Sequence, residues 1–151
     1  YAPVFVLFQC PQDMHETSRV INYMQEKSSV IFRMCRPQEM LSLVSQFDLL
    51  IGMRLHSLIF SAMSQVPMLG ISYDPKIRAF MKKIDQPCLN VNEGLVSQKL
   101  RTVLEKILAD KEKVRINLEA KRKGAYDQAL LNFDIFFDHL KPGRKLQKTK
   151  K

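Results

Sequence analysis

A chain of 151 residues is the size of one domain and can bury a core, and its 46% apolar and 26% charged residues are ordinary globular composition. No run approaches the roughly 20 apolar residues that a membrane-spanning helix needs. The formal charge of +9 is concentrated late, with 12 Lys and Arg against 5 Asp and Glu in residues 111–151 and 12 against 10 before them, which argues against a fold-wide nucleic-acid surface.

Tyr1 to Gln9 is dense in β-branched and aromatic residues, and its Val-Phe-Val-Leu-Phe run predicts a strand buried on both faces. It begins without a methionine or a preceding turn, so the chain is expected to be truncated at its N-terminus. Gln9, Pro11 and Asp13 fall in the next loop, and a helix is predicted from about Glu16 to Lys27 with Val20, Ile21 and Met24 inward. Asp13 reads locally as a cap for that helix. Val30 to Met34 is a second short strand, broken by Arg36 and Pro37. Pro37 to Phe47 makes an amphipathic helix with Met40, Leu41, Leu43 and Val44 toward the sheet.

The stretch Asp48 to Lys76 organises the rest. A short apolar run, Leu49 to Ile51, stops at Gly52 and changes to helical spacing at Leu55, Leu58, Ile59, Ala62 and Met63. Arg54 and His56 stand at that strand-to-helix turn, where unpaired N–H groups and the positive end of the helix dipole favour an anion. Pro67 to Ile71 reads as a buried strand, Ser72 and Tyr73 as a loop, Asp74 as N-cap and Pro75 as the first residue of a helix to Lys83, with Lys76 just inside it. Neither Ser57 nor Ser72 has a base at useful spacing, so a serine hydrolase is not supported.

Pro87 to Val91 is the last candidate strand. Glu93 to Ala109 is a helix with Val96, Leu100, Val103, Leu104 and Ile107 on one stripe and Asn92 as its cap. After Asp110 a charged helix passes Gly124 and recovers a stripe at Tyr126, Leu130, Phe133, Phe137 and Leu140. Such a stripe usually packs on its own domain; docking on a partner domain is the alternative. Pro142 and Gly143 end it. Residues 1–109 thus read as one α/β region, 110–141 as a helical extension and 142–151 as a basic tail expected to be disordered. Cys10, Cys35 and Cys88 are too widely spaced for a disulfide framework, and no His or Cys spacing suits a metal.

Strands alternating with helices argue for right-handed crossovers and a parallel, Rossmann-like sheet, whose ligand edge lies at the strand ends. The string Ile51-Gly52-Met53-Arg54-Leu55-His56-Ser57-Leu58-Ile59-Phe60, with Val66-Pro67-Met68-Leu69-Gly70-Ile71-Ser72-Tyr73-Asp74-Pro75-Lys76, resembles the signature of the polysaccharide pyruvyl transferase family. The resemblance runs from about Val4 to Phe80. It implies the C-terminal half of a two-domain, glycosyltransferase-like (GT-B) transferase that moves the pyruvyl group of phosphoenolpyruvate onto a sugar as a ketal, without a further cofactor. It also implies a missing N-terminal domain and a missing strand, hence a gap or an altered neighbour between Val4 to Gln9 and Leu49 to Ile51. Gln9 and Asp13 become rim residues by the same resemblance.

Phosphoenolpyruvate carries a phosphate and a carboxylate, and its methylene must receive a proton. Arg54 suits a bidentate grip, Lys76 a point charge and His56 the acid, with Tyr73 and Asp74 orienting acceptor hydroxyls or the histidine. The resemblance implies partners of two kinds, the donor and a sugar or lipid-linked oligosaccharide acceptor. The location expected is the cytoplasm, with the basic tail reaching the inner face of the membrane. Two alternatives stand beside this reading: a nucleotide-sugar glycosyltransferase or epimerase on the same plan, and a non-catalytic basic binding module.

Overall fold

In the computed structural model, which describes residues 2–33, 35–94 and 97–140, with only the backbone for 139–140, every strand but the last is followed by a helix. The order is β1 (Val4–Val6), α1 (Gln12–Tyr23), β2 (Ser29–Ile31), α2 (Pro37–Val44), β3 (Leu50–Gly52), α3 (Leu55–Met63), β4 (Met68–Ser72), α4 (Pro75–Lys83) and β5 (Cys88–Asn90). A single 3₁₀ turn, Val91–Glu93, then leads to α5 (Ser97–Ala109) and α6 (Lys111–Leu140). All the strand pairings are parallel. This is an α/β fold consistent with a Rossmann-like domain.

The strands form two sheets, β1–β2 and β3–β4–β5. No ladder joins β1 to β3 among the described residues, so the interruption expected between these strands is present. Helices cover both faces. Met40 and Val44 of α2, Leu58 of α3 and Ile77 and Met81 of α4 pack with Leu50, Val66 and Met68 in the larger core, which Val6 and Phe8 also join. Leu69, Leu89 and Ile107 form the core under α5 on the other face. Leu7, whose side chain alternates with Val6 and Phe8, meets Met14, Thr17 and Ile21 of α1, so α1 lies on the α5 side. Burying a side chain such as Leu58 or Met81 contributes about 1.5–3 kcal/mol.

Two turns fit their sequences closely. A Cβ on Gly52 would sit 2.7 Å from Ser57 Oγ and 2.8 Å from Leu58 Cδ2, so only glycine lets α3 begin this close to β3. At the next turn the Asp74 carboxylate accepts the backbone N–H of Lys76 at 2.7 Å and Pro75 opens α4.

Several expectations are corrected. Helix α1 starts at Gln12, which puts Asp13 inside its first turn, and it ends at Tyr23 with Val20 48% exposed instead of inward. Met63 faces solvent, and Ser57 and Ser61 take the buried positions on α3. Asn92 lies within the 3₁₀ turn, whose cap is the Asn90 side chain. Val96, Met34 and the basic tail lie outside the described residues, and so does the side chain of Leu140.

The largest correction concerns α6. Its first half belongs to the domain: Lys111 pairs with Asp48, Asn117 donates to Asp85 at 3.2 Å, and Leu118 is 1% exposed in the larger core. Its second half does not pack back. Tyr126, Leu130, Phe133 and Phe137 are all exposed, so the stripe is not core. No helix among the described residues is long and apolar enough to cross a membrane.

Candidate functional site

Parallel pairing of β3 with β4, in the register Gly52 to Gly70, brings the turns after these strands to the same edge of the sheet. Arg54 precedes α3, and its carbonyl accepts the N–H groups of Ser57 and Leu58 and the Ser57 hydroxyl at 2.6 Å. The backbone at Arg54 is therefore fixed while its side chain remains available to span outward.

That side chain crosses the interrupted sheet. Arg54 donates from Nε to Asp13 Oδ2 at 3.2 Å and from Nη2 to Asp13 Oδ1, a two-pronged grip between the start of α3 and the start of α1. Asp13 also accepts the N–H of Gln9 at 2.9 Å and that of Phe8 at 3.3 Å, which closes the loop after β1. The Arg54 hydrogen bond holds the Asp13 carboxyl below the usual carboxylate range, against a smaller opposing effect of burial. Asp13 raises the guanidinium in return, and Tyr73 adds a lesser electrostatic contribution from the β4 side. Phe8 and Phe60 pack below, ring centroids 6.2 Å apart.

The loops after β1, β3 and β4 therefore meet at one edge, and Gln9, Asp13, Arg54 and Tyr73 are the predicted residues drawn into contact or close electrostatic range there. Asp13 does not cap α1 with its side chain; it ties α1 to α3. His56 and Lys76, the second residues of α3 and α4, are exposed, and among the described residues neither side chain makes a hydrogen bond or ion pair. Asp74 is engaged as the α4 cap, and Tyr73 is 56% exposed. The edge is an open surface. Two hollows lie away from it, one between α1 and the β1–β2 sheet and one between the end of α4 and α6.

Chemically, the turns after β3 and β4 offer the Arg54 guanidinium, with two of its five N–H donors used, the Lys76 ammonium, the His56 imidazole and the Tyr73 phenol. Because Asp13 neutralises Arg54, an incoming anion must share the guanidinium or displace the carboxylate. No group of three His, Cys, Asp or Glu suited to a metal occurs among the described residues. The Cys10 thiol meets the Phe32 carbonyl on the β2 side at 3.7 Å. Burial pushes the Cys88 thiol up.

Sequence reasoning passed over two hydroxyls that shape the edge. Ser57 fixes the first turn of α3, and the buried Ser72 donates to the Asp74 carbonyl at 2.9 Å, setting the turn before α4. Their signal was a small hydroxyl residue beside each strand-to-helix turn.

The profile of one family, described as polysaccharide pyruvyl transferase, matches residues 2–75. No curated protein and no solved structure matches the chain. The matched span takes in the loops after β1, β3 and β4 and ends at the first residue of α4.

Proposed function

We propose, on the premise that over residues 2–75 this chain belongs to the polysaccharide pyruvyl transferase family, that it moves the pyruvyl group of phosphoenolpyruvate onto a pair of sugar hydroxyls in cell-surface polysaccharide synthesis. The observation that carries the reading is the convergence of the three loops on Arg54 at an edge that also bears His56, Tyr73 and Lys76. Ligands of open α/β sheets bind there.

In this reading Arg54 turns its unused N–H donors to the phosphate or carboxylate, and Lys76 supplies a second positive charge. His56 gives a proton to the methylene carbon. A sugar hydroxyl attacks the adjacent carbon, and a second hydroxyl of the same sugar displaces phosphate and closes the ketal. Asp13 holds the guanidinium in place before the donor arrives, with Gln9 at the rim. Tyr73 and Asp74 face the acceptor.

The same reading makes residues 1–109 the donor-binding half of a two-domain, GT-B-type enzyme and 110–141 an extension of it. The tail at 142–151 brings the protein to the inner membrane surface, where a lipid-linked acceptor would be found. The decisive experiment is acceptor-dependent release of phosphate from phosphoenolpyruvate, with calorimetry of donor binding beside it. Binding of uridine nucleotides without phosphoenolpyruvate, read as a thermal shift, would favour the glycosyltransferase or epimerase reading and end this one.

A further inference from the structure

The second half of α6 carries Tyr126, Leu130, Phe133 and Phe137 at 64%, 43%, 60% and 57% exposure. Their separations of four, three and four residues are those of alternating core positions in a coiled coil, and Leu140 continues the spacing in the sequence. The first half of the helix is committed to its own domain through Val114 and Leu118. At about 100° per residue, the aromatic seam is turned roughly a quarter turn from Leu118. Gly124 separates the halves, with open space where a Cβ would stand.

We infer that this seam is the contact between two copies of the chain, joined as a parallel, in-register pair of α6 helices. The charges choose the occupant. Arg122 and Asp127 flank the seam on its two sides, five residues apart, which is the spacing of the ionic contacts between helices of a parallel coiled coil. Neither has an ion-pair partner within the chain among the described residues. The next acidic flank, Asp134, falls opposite Ala129 of the second copy, and Lys123, which the spacing places in the seam three residues before Tyr126, faces its own copy as a single charged core position of the kind that fixes register at a cost in stability. An antiparallel pair would instead set Asp127 beside Asp134. An anionic lipid surface suits the segment less, since no Lys or Arg occurs from Gly124 to Asp138.

The test is the mass of the protein by sedimentation at about 10–100 µM, with each variant checked by circular dichroism. The wild type is expected as a dimer, and Phe133→Asp combined with Phe137→Asp as a monomer of unchanged helicity, because both rings are exposed in the single chain. Arg122→Glu and Asp127→Lys should each weaken the dimer roughly threefold or more, and the double reversal should restore it. Only the parallel register predicts that restoration. A wild type that stays monomeric at 100 µM overturns the inference, as does a dimer indifferent to the phenylalanine changes, a double reversal no tighter than either single one, or a monomer held on anionic vesicles through Phe133 and Phe137. Mass is independent of turnover, so these outcomes leave the pyruvyl-transfer reading standing or falling on its own.

Discussion

Arg54 and Asp13, 41 residues apart in the chain, form a two-pronged ion pair that spans the break between the two sheets. The contact is structural, since Asp13 also closes the β1 loop, and it fixes the Arg54 guanidinium that the proposed function assigns to the donor. Each of these roles gives a different measurement.

The pair should show in acid. A carboxyl held below its usual range takes up its proton at lower pH in the folded chain than in the unfolded one. Its stabilisation is therefore complete above about pH 4 and is lost as pH falls through the folded value. Asp13→Asn should be less stable than wild type in urea at pH 7, and the difference should shrink as pH falls below the usual carboxylate range. A gap between the two proteins that stays constant across that range would remove the ionic contribution.

Arg54→Lys keeps the charge but not the fork. Phosphoenolpyruvate binding should weaken by about tenfold, because an ammonium cannot hold Asp13 and an anion in the same planar geometry. Calorimetry checks this directly. Unchanged affinity would place the donor elsewhere.

His56 is exposed, and its side chain makes no hydrogen bond or ion pair among the described residues. His56→Ala should leave the thermal midpoint within a degree or two of wild type while turnover, read as acceptor-dependent phosphate release, falls by about 10²–10⁴-fold. Turnover near that of wild type would take the imidazole out of the reaction.

Two glycine substitutions should act in opposite directions. Gly52→Ala forces a methyl against Ser57 and Leu58 and should cost about 1–3 kcal/mol in denaturant unfolding. Gly124→Ala meets open space in mid-helix and should stabilise by about 0.5–1 kcal/mol. Equal effects of the two would contradict the packing at the β3 turn.

The parts of this structure that local chemistry dictates were legible in advance. Helix α4 runs from Pro75 to Lys83 as expected because Asp74 and Pro75 punctuate its start in adjacent residues. The β3-to-α3 turn was found because apolar spacing changes at Gly52. What was missed depends on distant partners. Asp13 reads as a cap when only its neighbours are considered, and nothing near it announces a guanidinium 41 residues later. The aromatic stripe of α6 has the pattern of a packed face, but spacing records that a helix has an apolar side and not which surface meets it. The placement of His56 and Lys76 follows from the starts of α3 and α4, while the absence of a side-chain partner for either among the described residues is visible only in the folded chain.

The break between β1 and β3 has a mechanical consequence. Without a ladder between β1 and β3 among the described residues, the smaller slab of β1, β2 and α1 is held at that edge by a charge tie and by ring packing, both of which deform more easily than a row of peptide hydrogen bonds. The Arg54–Asp13 pair and the Phe8–Phe60 contact therefore carry across the break what rows of peptide hydrogen bonds carry within each sheet.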